Sequence, residues 1–109
     1  GNDDIAWLYL VASYFLRNDT SMVEKRKELQ RNSAEYLIKA IDNKEYKDKS
    51  TYASMQYLVG ELYRRTGDFT LAVKYYDLAL ADKHQKDWLK KVALEQKEMA
   101  LKENDDNSI

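Results

Sequence analysis

No cysteine and no proline occur in these 109 residues, and glycine occurs only three times. The absence of cysteine excludes disulfides and thiolate metal ligation. Nothing in the chain then needs an oxidising compartment, and a cytoplasmic setting is the simplest expectation. With no proline and two internal glycines, turn-making residues are scarce, so helices are expected rather than strands joined by tight turns. A charge excess of one sign is missing too: 18 Lys and Arg stand against 19 Asp and Glu, for a net charge of −1. Such a balance gives no overall pull toward nucleic acid and no basis for holding a membrane surface. Long apolar runs are also lacking. The longest, Ile5 to Leu16, is interrupted by Ser13, Tyr9 and Tyr14 and is too short to span a bilayer. No basic region precedes it as in a signal peptide.

What the chain does have is a globular mixture, 44% hydrophobic and 34% charged, rich in the helix formers Ala, Leu, Lys and Glu. Its length fits one domain, residues 1–109, with a modest core. Helical spacing places a first helix over Asp4 to Arg17, with Trp7, Leu10, Val11 and Tyr14 as its apolar stripe. Ser21 and Glu24 form a capping-box signature for a second helix that ends near Asp42. Its first half is charged and solvated, and its second half buries Ala34, Leu37, Ile38 and Ile41. The polar stretch Asn43 to Ser50 connects to a third helix, Thr51 to Arg65, whose inner face is Met55, Leu58, Val59, Leu62 and Tyr63. Gly67 sits where a left-handed residue stops a helix, and Asp68 can cap the fourth, Phe69 to Ala81. That helix turns Leu71, Ala72, Tyr75, Tyr76, Ala79 and Leu80 inward. A fifth, Asp87 to Lys102, presents Trp88, Leu89, Val92, Ala93, Gln96 and Met99, and the acidic tail Glu103 to Ile109 reads as frayed.

The third and fourth helices carry a repeat pattern. Numbered from Ala53, the segment to Lys86 has Gly60 at its eighth position, Tyr63 at its eleventh and Gly67 at its fifteenth. Phe69, Ala72, Tyr76 and Ala79 follow at the seventeenth, twentieth, twenty-fourth and twenty-seventh. The chemistry of the spacing is direct: Gly60 and Ala72 allow two helices to approach closely, Tyr63 and Tyr76 fill the space beside them, and Ala79 leaves room for the next helix. In this pattern the segment resembles one tetratricopeptide (TPR) repeat. Gln56 and His84 depart from it, at the places of a large apolar residue and a late proline. Trp7, Leu10 and Tyr14 echo a repeat beginning at Asp4, stretched to Asp42 by an insertion of roughly eleven residues. The fifth helix then stands as a closing element. The resemblance implies an all-α array of about five antiparallel helices with right-handed stacking.

A narrower resemblance rests on Glu61-Leu62-Tyr63-Arg64-Arg65-Thr66-Gly67-Asp68-Phe69, with Ala72 and Glu95-Gln96. It covers Tyr52 to Lys102 and is similar to the C-terminal helical part of a bacterial family of unknown function. Members of that family place a cysteine-rich, zinc-ribbon-like segment ahead of TPR-like helices. Without cysteines this chain corresponds only to the helical portion, and the resemblance implies no activity.

Candidate sites are few. His84 is the sole histidine, and its spacing to Asp82 and Asp87 fits no ligand rule, so no metal or other cofactor is expected. Glu61 lies at pairing distance from Arg64 and Arg65, the ordinary role of such residues on a helix. The functional alternative is that Tyr57, Glu61 and Arg64 line the inner groove with which TPR arrays hold peptides. The carboxylate clamp of chaperone-binding TPR domains needs polar donors where this chain has Leu8, Ala12 and Leu58. The basic run Lys25, Arg26, Lys27, Arg31 is interleaved with Glu24 and Glu28 and reads as a solvated face. Tyr9, Tyr46 and Tyr75 are candidates for exposed aromatics, which suit protein contacts. No phosphate loop, nucleophile elbow or His-Glu metal motif occurs. The leading expectation is a non-catalytic interaction module that binds a peptide, a partner protein or another segment of its own parent chain. The alternatives are a homo-oligomerisation domain, or a regulator that contacts nucleic acid through its basic helix.

Overall fold

The computed structural model describes residues 1–107 and is all-helical, with five α-helices. None of them is long and apolar enough to cross a membrane. The chain divides into two compact units, Gly1–Glu45 and Tyr46–Ile109, and the division falls in the polar connection expected after the second helix.

The first unit is a helical hairpin of α1 (Asn2–Phe15) and α2 (Val23–Asp42), with a 3₁₀ turn at Thr20–Met22 between them. Its seam is made of small side chains. Ala6 and Ser13 on α1 are buried, as are Gln30, Ser33, Ala34, Leu37 and Ala40 on α2. The Ser33 hydroxyl donates to the Ala6 carbonyl at 2.8 Å, a contact that only closely approaching helices can make. Tyr9 stacks on Tyr36 at 5.7 Å along one side. Two expectations fail here. Trp7 and Tyr14 do not point inward but are exposed. Because α1 is apolar on almost every side, periodicity could not select its buried face, and the small residues select it. Nor does Ser21 form a capping box: it lies in the 3₁₀ turn and donates to Asp19 through both its N–H and its hydroxyl. At the other end, Lys44 adopts a left-handed φ of 53° to stop α2. Glu45 then returns to the start of α1, where its carboxylate accepts from the backbone and the side chain of Asn2.

The second unit runs α3 (Ser50–Thr66), α4 (Phe69–Ala81) and α5 (Asp87–Asn107). Asp48 starts α3 by accepting from the Ser50 hydroxyl and N–H, and those hydrogen bonds hold its carboxyl below the usual range. The Tyr52 hydroxyl accepts from the Tyr46 N–H and donates to the Tyr46 carbonyl, which pins the entry. Gly67 takes φ 84° at the end of α3, as expected. The Asp68 N–H bonds the Tyr63 carbonyl and the Gly67 N–H that of Arg64, the paired bonds of a Schellman stop. Asp68 is the N-cap residue of α4, and its carboxylate accepts the Thr66 hydroxyl.

Helices α3 and α4 cross at Gly60. A Cβ built there would lie 2.7 Å from the Tyr76 ring and 3.2 Å from the Ala72 carbonyl oxygen. Ala53, Gly60, Ala72, Tyr76 and Ala79 are all buried. On α5 the buried stripe is Leu89, Ala93 and Ala100, while Trp88 and Met99 are exposed. Leu71 on α4 is exposed as well. In each case the sequence placed the larger apolar residue inward, and the helix turns its smaller ones to the neighbour. The acidic tail is not frayed at Glu103: α5 continues through Asn107, and Ser108 and Ile109 lie outside the described residues.

Gly60→Ala sets two effects against each other. Helix propensity favours alanine by about 1 kcal/mol, whereas the crowded Tyr76 ring penalises any Cβ. Urea denaturation of Gly60→Ala should show a net loss of about 1–3 kcal/mol from overpacking. A gain in stability would mean that the helices do not meet there.

Candidate functional site

Tyr57, Glu61 and Arg64 lie four and three residues apart on α3, so one helix face presents all three. The structure brings them together and adds two residues from elsewhere. Glu61 is 7% exposed, so its carboxylate needs partners inside the protein. Tyr76, arriving from α4, donates its hydroxyl to Glu61 Oε1 at 2.7 Å. Arg64 donates through Nη2 to Glu61 Oε2 at 3.3 Å, and Arg65 Nη2 approaches the same oxygen at 3.8 Å. The other end of the Arg64 fork lies 3.6 Å from Glu103 Oε1 on α5. One carboxylate thus ties α3 to α4, and one guanidinium ties α3 to α5.

The electrostatics follow from this burial. Tyr57 is pushed up from 10.0 to about 12, first by burial and then by the negative charge of Glu61. Tyr76 is raised further, again by burial first and by its bond to Glu61 second. Their rings are tilted against each other with centroids 5.9 Å apart. Burial disfavours the charged Arg64, but the Glu61 charge and hydrogen bond outweigh it and the guanidinium is held more firmly protonated. Arg64 Nε, Gln56 Oε1 and Gln96 Oε1 are buried without a hydrogen-bond partner among the described residues.

These placements sort the expected site residues. Gly60, Gly67, Ala72, Tyr76 and Ala79 serve the hairpin, Tyr63 packs near Tyr75 at 6.0 Å, and Phe69 opens α4. Glu61 belongs to the interior rather than to an open groove. Tyr57 and Arg64 are half-buried and keep part of their surface. Sequence reasoning missed Trp88 and Met99 as surface residues and Glu103 as the anchor of Arg64. Trp88, Val92, Met99 and Glu103 share one flank of α5, the flank from which Glu103 reaches α3. Leu89, Ala93 and Gln96 belong to the expected face, but the inward stripe continues from them to Ala100 and Glu103 and leaves Trp88 and Met99 outside.

The remaining candidates are occupied or isolated. His84 is exposed, and its N–H donates to Asp82. No three His, Cys, Asp or Glu side chains among the described residues are grouped to hold a metal ion. In the basic run, Lys25 pairs with Glu28 at 3.5 Å and Arg26 donates to the Arg17 carbonyl. Tyr9, Tyr46 and Tyr75 are half-buried, each against another tyrosine. No family model, curated protein or solved structure matches the chain.

A tyrosine whose native pKa exceeds its unfolded value stabilises the fold fully below the unfolded value, and that stability is lost as pH rises through the native one. For Tyr57 the window lies between 10.0 and about 12. Alkaline titration followed by tyrosinate absorbance should therefore show a late step between pH 10.0 and about 12 to which Tyr57 contributes. That step should coincide with loss of helical circular dichroism. In Tyr57→Phe the late step should shrink. Ionisation of every tyrosine near the ordinary value with the helices intact would contradict the buried arrangement.

Proposed function

We propose that this chain is a non-catalytic, TPR-like interaction module that holds a segment of another protein along the α3–α5 side of its second unit. The observation that carries the reading is the exposure of Trp88 (56%) and Met99 (46%) on the α5 flank that reaches Arg64. Met99 lies one turn before Glu103, which reaches Arg64, and Trp88 lies about three turns further back on the same flank, so α5 presents an apolar strip that runs toward a polar end, the composition of protein contact sites. The hairpin of α3 and α4, with Gly60 at its crossing and the Gly67 stop, supports the TPR-like reading. In that fold the first helix of each pair lines the binding side.

Glu61 is engaged with Tyr76, Arg64 and Arg65, which gives it a structural role at the α3–α4 crossing. The proposed partner is a peptide or protein segment rather than nucleic acid, because the basic run of α2 is broken up by its own carboxylates. Its chemistry is apolar, for Trp88 and Met99, with a hydrogen-bond acceptor for the part of the Arg64 side chain that stays exposed.

Peptides selected from a random display library on the wild-type protein provide the test. Trp88→Ala and Met99→Ala remove exposed atoms and should leave the unfolding midpoint nearly unchanged. Trp88→Ala should weaken binding of the selected peptides by about tenfold or more. Unchanged affinity in both variants would place the binding surface elsewhere.

A further inference from the structure

The outer side of α1 is the largest unexplained surface in the first unit. From Ile5 to Leu16 the helix has one polar residue, Ser13, and it is turned inward. Outside stand Ile5, Trp7, Leu8, Tyr14 and Phe15, exposed by 39, 62, 68, 58 and 76%. A helix that is apolar all round is normally covered all round, yet within its unit α1 has only α2 against it.

We propose that a second copy of this chain covers that face, with the two α1 helices packed antiparallel about a two-fold axis near Val11. Charge selects this occupant and this direction. Across the middle of the face there is no charge at all. At its N-terminal end stands Asp4, 80% exposed, whose carboxylate also accepts from the Gly1 amine. At its C-terminal end stands Arg17, its guanidinium 3.7 Å from the centre of the Tyr14 ring. Antiparallel pairing sets Asp4 of each copy near Arg17 of the other, whereas parallel pairing would oppose Asp4 to Asp4. An isologous contact uses the same patch twice, so one helix that is acidic at its start and basic after its end is complementary to itself.

Area sets the strength. Three aromatic rings of about 150–250 Å² each, exposed as stated, together with Leu8 and Ile5, offer on the order of 500 Å² per copy. Two copies bury on the order of 1,000 Å², just below the range of about 1,200–2,000 Å² for stable specific interfaces. Contacts of this size belong to the weak, concentration-dependent class. The net charge of −1 disfavours the competing idea that the face lies on an anionic lipid surface.

Sedimentation equilibrium of the full chain over a wide concentration range tests the proposal. The wild type should pass from monomer to dimer, and Phe15→Glu should raise the dissociation constant by about tenfold or more with helical content unchanged. Asp4→Lys and Arg17→Glu should each weaken self-association. An equimolar mixture of these two variants should recover it, because every end contact in the mixed pair is then Lys with Glu or Asp with Arg. Strictly monomeric wild type at all concentrations would overturn the proposal. So would a dimer indifferent to Phe15→Glu, failure of the mixture to recover, or Trp7-dependent binding of the monomer to phosphatidylserine vesicles.

Discussion

The contact between the Tyr76 ring and the bare backbone of Gly60 sets the geometry of the second unit. No side chain at position 60 keeps α4 away, so the ring lies close against α3 and its hydroxyl reaches Glu61 at 2.7 Å. That hydrogen bond allows a carboxylate to sit inside a helical hairpin. Once inside, the carboxylate must be balanced, and Arg64 is drawn alongside it. The other end of the guanidinium reaches Glu103 on α5 at 3.6 Å. Removing the space at Gly60 would therefore disturb more than one packing contact, because the polar chain Tyr76, Glu61, Arg64, Glu103 is ordered by it.

The same device, a small residue at a crossing, builds the first unit with a different outcome. There Ala6 faces Ser33, and the short Ser33 side chain bonds the backbone of α1 directly. Because small residues occupy the seam, the bulky ones are turned out. In the second unit the equivalent displacement puts Trp88 and Met99 on the surface. The two proposed contact faces thus share one physical origin: close helix packing uses Ala, Gly and Ser, and the large apolar side chains remain available for partners.

Much of the helical order is legible in the sequence. The two internal glycines, the absence of proline and the spacing of Ala72, Tyr76 and Ala79 were enough for the α3–α4 hairpin and for the left-handed stop at Gly67. What stayed hidden were the rotations of α1 and α5. Both helices are apolar on more than one face, so a period of three to four residues fits several stripes, and residue size suggested the wrong one. Glu61 was hidden for another reason. Its local neighbours, Arg64 and Arg65, account for its charge without burial, and the decisive Tyr76 lies fifteen residues away on another helix. Glu103 was misjudged because acidic ends usually fray, and its approach to Arg64 on another helix shows only in the structure.

Glu61 and Tyr76 act as a unit across the α3–α4 crossing. A double-mutant cycle with Glu61→Leu, which removes the acceptor, Tyr76→Phe and the combined variant, read as unfolding free energies in urea, measures that coupling. The expected coupling energy is about 1–3 kcal/mol, so that either change alone removes most of what both remove together. Additive effects, with coupling near zero, would contradict it.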